Sequence, residues 1–308
     1  MSPIRLALVG LGKIARDQHL PAIAATPEIE LVAVASRNAR LAGVDCFRSI
    51  EELLAEVSDI DAVALCTPPI VRREQAMAAL AARKHVLLEK PPGPTVGELN
   101  PLVAMAKREN RTLFAAWHSR FAPAVEPARA FLARHRARSV TILWQEDVRV
   151  WHPGQDWIFE PGGLGVFDPG INALSILSAI LPEPVFVSGA KLDFPANRQA
   201  PIAAEVELAS ISGLPIHGSF DFRQSGEQFW SIEIETDAGR LVLAFGGARL
   251  SLDGEPLVDE QEEEYRGVYR RFVELVRTSG IDADAVPLCL VADVFMLGRR
   301  SVVEDFMW

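Results

Sequence analysis

Cysteine is scarce and unpatterned: the chain holds three in 308 residues, Cys46, Cys66 and Cys289, far apart and in or beside apolar runs, with no CxxC spacing. That excludes a disulfide framework and suits a reducing compartment, so a cytoplasmic protein is expected. Long hydrophobic runs are lacking too. Pro, Arg or Asp interrupts each apolar stretch well before membrane-spanning length, which argues against a transmembrane helix. Met1 leads straight into the strand-like Ile4 to Val9, leaving no room for a signal peptide. Positive charge is in deficit. With 31 Lys and Arg against 41 Asp and Glu, the net charge of -10 repels nucleic-acid phosphate, and a small-molecule partner is expected instead. No His, Cys or carboxylate cluster shows metal-ligand spacing, so no metal is expected. Internal repeats and low-complexity linkers are absent.

What is present is an apolar fraction of 49% over a length that favours two domains. Short apolar runs (Ile4 to Val9, Leu31 to Ala35, Ala62 to Cys66, His85 to Leu88, Leu113 to Trp117) alternate with helical patterns, as in a parallel sheet covered on both faces. Ser49 with Glu52, and Thr95 with Glu98, have the spacing of capping boxes that open helices. Beyond about residue 120 the texture changes. A helical stretch from Ala122 to Arg134 precedes alternating segments such as Glu205 to Leu208 and Ser231 to Glu235, which predict a largely antiparallel sheet with one wet face. Helices are predicted over Tyr265 to Thr278 and Pro287 to Phe306. The fold expected is α/β: a doubly wound Rossmann domain over 1–118, then an α+β domain over 119–308 with an open sheet, its C-terminal helix free to pack back on the first domain.

The first strand ends in Gly10-Leu11-Gly12-Lys13-Ile14-Ala15, a G-x-G-x-x-A run opening a helical pattern. Gly10 permits the tight turn, Gly12 a close approach of backbone to pyrophosphate, and small Ala15 close packing of helix on strand, with the phosphates on the helix N-terminus. Such glycines can also be purely structural. Here the motif follows a strand and precedes another, so the whole βαβ unit is present. Lys13, Ile14, Thr67, Pro68, Glu89 and Lys90 are further cofactor-contact candidates. The second strand ends at Ser36-Arg37, where an NAD-selective site usually carries an acid; a hydroxyl and a guanidinium suit a 2′-phosphate instead. NADP is therefore expected as the preferred cofactor, with NAD accepted. The alternative is an ordinary solvated arginine.

Glu89-Lys90-Pro91-Pro92 follows the His85 to Leu88 strand. Ligands of open parallel sheets bind beyond the carboxyl ends of strands, so Lys90 is placed to hydrogen-bond a reacting hydroxyl; a plain surface Glu-Lys pair is the alternative. Asp168 and Asn172, four apart, share a face if a helix has begun, although Asp168 before Pro169 also reads as an N-cap. The segment Trp144 to Gly154 gathers Glu146, Trp151 and His152, a mixture of polar groups and aromatic faces suited to a carbohydrate. His118, after the Leu113 to Trp117 strand, adds a polar group at the same crevice.

Together, the glycine motif, Glu89-Lys90-Pro91 and Gly162-Gly163 leading to Asp168 resemble the Gfo/Idh/MocA oxidoreductases over nearly the whole chain. Trp117 to Arg120, Glu146-Asp147 through Trp151 to Gly154, and Phe167 to Asn172 resemble more narrowly its bacterial sugar 1-dehydrogenases acting on L-arabinose and D-galactose. The resemblance implies NAD(P)-dependent oxidation of a pyranose at C1 to an aldonolactone. It implies Lys90 and Asp168 as catalytic residues, with Glu146, His152, Asn172, His118 and Trp151 as substrate binders. Asn172 stands where many members carry histidine; an amide is no proton acceptor near neutral pH, so proton transfer rests on Asp168, Lys90 or water. By analogy a homodimer is expected. Alternatives are an inositol dehydrogenase or ketosugar reductase of the same fold, or a nucleotide-sensing regulator without turnover.

Overall fold

The computed structural model describes residues 2–260 and 263–308. They form two compact units, Met1–His118 with Tyr265–Ala285, and Ser119–Glu264 with Val286–Trp308. In chain order the strands are β1 (Ile4–Val9), β2 (Ile29–Ala35), β3 (Asp45–Phe47), β4 (Ala62–Leu65), β5 (His85–Glu89), β6 (Leu113–Ala116), β7 (Ala137–Gln145), β8 (Val185–Pro195), β9 (Ala203–Ser210), β10 (Pro215–Asp221), β11 (Phe229–Thr236), β12 (Gly239–Ala244), β13 (Arg249–Leu252), β14 (Glu255–Asp259), β15 (Ile281–Asp282) and β16 (Gly298–Val303).

In the first unit a parallel sheet runs β15-β6-β5-β4-β1-β2-β3. All of β4 and β6 is buried, as expected of strands covered on both faces. Val9, Val63, Leu65 and Leu88 pack with Leu53, Leu80 and Leu102 from the helices in one core. The chain steps from β1 to β2 on one side and later to β4 on the other. That reversal makes a topological switch point at the carboxyl ends of β1 and β4, the place where such sheets bind ligands. Half of the box at Ser49 forms: its side chain accepts from the Glu52 N–H at 3.3 Å, while the Glu52 carboxylate reaches one residue further back and accepts from the Arg48 N–H at 2.7 Å. The box at Thr95 does not, because a 3-10 turn over Val96–Glu98 intervenes and the α-helix starts only at Leu99.

In the second unit a mixed sheet runs β14-β13-β12-β11-β7-β10-β9-β8-β16, parallel only at β7–β10 and β8–β16. Inward residues of β7, β9 and β10 alternate with wetter ones, and helix Phe167–Ile180, buried over most of its length, covers the inner face. Phe167 meets Phe220 of β10 and Phe295 of helix Val286–Leu297 at ring separations of 5.2 and 6.0 Å.

Two further expectations are corrected. The predicted helix over Pro287 to Phe306 ends at Leu297; Gly298–Val303 continues as β16 beside β8. Helix period runs out at Gly298, and the basic, β-branched residues that follow suit an exposed edge strand. The segment that rejoins the first unit is Tyr265–Ala285, with helix Glu264–Thr278 and β15, while the last helix belongs to the second. Among the described residues no helix is long and apolar enough to cross a membrane.

Candidate functional site

The dinucleotide half lies in the first unit. A cleft of about 470 Å³ at the switch point is lined by Gly10, Gly12, Ser36, Arg37, Thr67 and Pro68. Gly10 is required by the protein itself: its φ is +93°, and a Cβ there would stand 2.8 Å from the Thr67 nitrogen. Gly12 is different. A Cβ on Gly12 meets nothing within 4 Å, so the space beside it is open to a ligand, as close passage of a pyrophosphate requires. The helix begins at Lys13, leaving the first-turn amides of Lys13 and Ile14 without acceptors of their own in the helix. Their side chains are exposed, and that of Lys13 pairs with Asp17. The same cleft is lined by Arg48, a second guanidinium that no sequence pattern marked, and by Glu51. A dinucleotide therefore fits the residues present.

Lys90 is half-buried just beyond β5, and the Lys90–Pro91 peptide is cis. The loop is held from within. Arg72, buried on helix Pro69–Ala81, donates to the carbonyls of Thr67, Glu89 and Pro91. Glu89 is only 2% exposed, and its carboxylate turns into the protein. Oε1 accepts from Tyr265 at 2.5 Å and from His19 Nε2 at 3.1 Å; Oε2 accepts the Lys90 N–H at 2.6 Å. His19 sits on a π turn over Ala15–His19, and its Nδ1 meets the Tyr269 hydroxyl at 2.7 Å. His118, expected as a substrate binder, stacks on Tyr265 at 5.1 Å. Burial pushes the Glu89 carboxyl up, but the His19 hydrogen bond and charge, with His118 and Arg72, hold it at about 2. Burial opposes a charge on His19, yet Cys66, Tyr269 and the bonds to Cys66 and Glu89 outweigh it and hold its pKa well above the usual range.

The second unit assembles the other candidates. Glu146 follows β7, its amide donating to the Asp221 carbonyl at 2.9 Å, and the residue is 4% exposed. Trp230 Nε1 donates to Glu146 Oε2 at 2.8 Å. His152 stands between two carboxylates, Nε2 at 3.2 Å from Glu146 Oε1 and Nδ1 at 3.9 Å from Asp168 Oδ2. The first contact is an ion-pair approach without hydrogen-bond geometry, and Glu146 Oε1 is buried with no hydrogen-bond partner. Trp151, half exposed, packs edge-on to Trp230 at 5.2 Å and donates to Gln228 at 2.6 Å. Trp230 and Gln228 lie far along the chain, and no motif pointed to them.

Asp168 is not a cap. The helix starts at Phe167 behind Val166, so Asp168 is its second residue, buried at 5% exposure, with Asn172 one turn on and half-buried. The glycines before it set that start. Gly165 has φ +57°, a Cβ there would fall 2.2 Å from the Pro201 carbonyl oxygen, and the Val166 N–H donates to that same oxygen at 2.8 Å. Buried acid, histidine, orphan carboxylate oxygen and an aromatic pair together make a site that can bind hydroxyls and accept a proton. Among the described residues no group of three or more His, Cys, Asp or Glu is arranged to hold a metal ion.

Comparison with known proteins shows the family and the fold. Residues 4–117 match the GFO_IDH_MocA model, described as an oxidoreductase family with an NAD-binding Rossmann fold. The chain is 48% identical to a galactose 1-dehydrogenase of Pseudomonas fluorescens over 306 residues, 99% of each chain. The crystal structure of a D-galactose-1-dehydrogenase from Rhizobium etli superposes with a TM-score of 0.96 at 56% identity, covering 100% of this chain and 99% of that one. A 3-ketoreductase from Actinomadura kijaniata, solved with NADP and TDP-benzene, shares the fold at 21% identity, with a TM-score of 0.85 over 98% of this chain and 100% of that one.

Proposed function

The chain belongs to the Gfo/Idh/MocA oxidoreductase family, and from that premise we propose that it is a sugar 1-dehydrogenase oxidising the C1 hydroxyl of D-galactose or L-arabinose to the aldonolactone. The observation that carries this reading is the buried Glu146–His152–Asp168 cluster with its orphan carboxylate oxygen and flanking tryptophans. Bound NADP supplies the hydride acceptor, the nicotinamide C4. Asp168 accepts the C1 hydroxyl proton from the first turn of its helix, where the dipole favours the anion. Lys90 donates a hydrogen bond to the reacting oxygen and offsets the negative charge that builds on it as its proton passes to Asp168. His152 orients Asp168, Glu146 Oε1 accepts from a ring hydroxyl, the Asn172 amide binds another, and a Trp151 face meets the sugar C–H surface. The two sugars share their hydroxyl arrangement from C2 to C4, so a site indifferent to the C5 substituent takes both. Arg37, with Arg48 at the same cleft, favours the 2′-phosphate of NADP.

The test is the initial rate of NADPH formation with D-galactose, L-arabinose, D-xylose, D-glucose and myo-inositol, with the product identified. D-galactose and L-arabinose are expected to turn over fastest, giving lactones that open to aldonic acids. Asp168→Ala should cut kcat by about 10³-fold, within the usual range for a lost general base. No turnover of either sugar, or an unimpaired Asp168→Ala protein, overturns the reading. Arg37→Ala should lower NADP efficiency relative to NAD about tenfold, one charge-assisted hydrogen bond's worth; unchanged selectivity removes Arg37 from the phosphate site.

A further inference from the structure

The chain has two tyrosines, Tyr265 and Tyr269, and both converge on a single buried acid–base pair behind the Lys90 loop. We propose that Glu89 is the positioning residue of Lys90, and that His19 and Tyr265 hold Glu89 in that role. This rests on Lys90 acting at the reacting oxygen, as proposed above. Two carboxylate oxygens receive three donors: His19 Nε2 and the Tyr265 hydroxyl share Oε1, and the Lys90 backbone N–H takes Oε2. A carboxylate is acceptor-only and suits all three, whereas the isosteric amide must point its NH2 at a donor on one side or the other. Glu89 thus fixes where the Lys90 backbone leaves β5, and Arg72 fixes the carbonyls on either side of Lys90.

The arrangement holds only while Glu89 is ionised. Among the described residues, the groups facing it are partners for that anion or neutral: His19 from the π turn, Arg72 from helix Pro69–Ala81, His118 after β6, and Tyr265 and Tyr269 from helix Glu264–Thr278; Cys66, past β4, faces His19. His19 is 0% exposed, so the pair is sealed from solvent. A buried carboxylate stripped of its cation titrates several units higher. Removing His19 therefore hands control of Lys90 to the pH.

The test combines steady-state kinetics between pH 5 and 9 with titration of cofactor affinity by NADPH fluorescence. Folding of each variant is checked by circular dichroism. Glu89→Gln is expected to lower kcat about 30- to 100-fold, the scale of a misplacement of about 1 Å, with NADPH Kd and sugar KM changed less than about threefold. His19→Gln should recover most of its kcat at high pH and lose it through a new limb near neutrality that the parent protein lacks. Should His19→Gln fail to fold, Tyr265→Phe, which deletes one hydroxyl and keeps the ring on His118, is expected to lower kcat about 5- to 10-fold with unchanged NADPH Kd, as for one lost hydrogen bond of ordinary strength with the other two donors to Glu89 still in place. Full kcat in Glu89→Gln or Tyr265→Phe overturns the proposal. So does a loss in His19→Gln that is the same at every pH, or a rise in NADPH Kd that accounts for the loss in Glu89→Gln, which would make Glu89 a cofactor contact. Lys90→Met separates the two levels: if it keeps parental kcat, the role of Lys90 itself is wrong; if it is inactive while Glu89→Gln is normal, only the positioning role falls.

Discussion

Gly10 and Gly12 are the same residue in the same motif, two positions apart, and they do different work. Gly10 has a left-handed φ of +93° and no space for a side chain against Thr67, so Gly10→Ala carries backbone strain and a clash with backbone. It should cost about 2–3 kcal/mol of stability, counting one to two for the αL residue and the rest for displacement of the Thr67 loop. Gly12→Ala meets nothing in the protein, so its melting temperature should stay within about 2 °C of the parent's while NADPH affinity falls about tenfold or more. Thermal denaturation and cofactor titration check the pair. Equal destabilisation by both would mean that the open space beside Gly12 is not reserved for a ligand. These residues were legible in the sequence because a local motif carries them. His19 was not: one histidine in a helical run shows no pattern, and only the π turn and the distant Tyr265 and Tyr269 give it meaning.

At the scale of the element, β5 carries a titrating group at each end. His85 opens it, and its Nδ1 accepts the Thr112 N–H at 3.0 Å; burial first, then Arg111, lowers its pKa to about 4. Glu89 closes it at about 2. Since the folded His85 resists protonation that the unfolded chain accepts near 6.5, stability falls as pH drops from 6.5 to 4, by about 1–2 kcal/mol after solvent screening of this partly exposed ring. Glu89 contributes above its unfolded value of 4.5, and that contribution, up to about 3 kcal/mol, is lost as pH falls towards 2. His19 works the other way: its raised pKa stabilises fully below 6.5 and fades as pH rises through the folded value. His85→Asn keeps an acceptor for Thr112 without titrating, so urea melts between pH 7 and 4 should show a flatter acid limb than the parent. A limb of unchanged slope removes His85 as its cause. Elements were legible where period and length sufficed, as in β1, β9 and helix Glu264–Thr278. β3 and β15, of three and two residues, are too short for any period to show, and β16 reads as helix because it follows the apolar run of helix Val286–Leu297 with no proline to mark the change.

The division after His118 follows the change of sequence texture, but the ownership of Tyr265–Ala285 is a long-range property that no local pattern encodes. That segment is integral to the first unit. Thr112 Oγ1 donates to the Leu275 carbonyl at 2.9 Å, Trp117 Nε1 to the Asp284 carbonyl at 2.9 Å, and Phe114 stacks on Phe272 at 6.4 Å. β15 adds the edge strand beside β6, and Tyr265 and Tyr269 are the hydroxyls that complete the Glu89–His19 pair. A fragment ending at His118 would keep the glycine motif and lose all of these, and each large apolar side chain no longer buried, Phe272 and Tyr269 among them, forfeits about 1.5–3 kcal/mol. Against a total stability of about 5–15 kcal/mol for a domain, that is enough to abolish a cooperative fold. The fragment is therefore expected to show no sigmoidal thermal transition by circular dichroism and no NADPH binding, whereas the same fragment joined through a flexible linker to residues 265–285 should regain both. A fragment that melts cooperatively and binds NADPH by itself would show that the dinucleotide fold is self-sufficient, and that the returning helix serves only to hold Glu89 and, through it, Lys90.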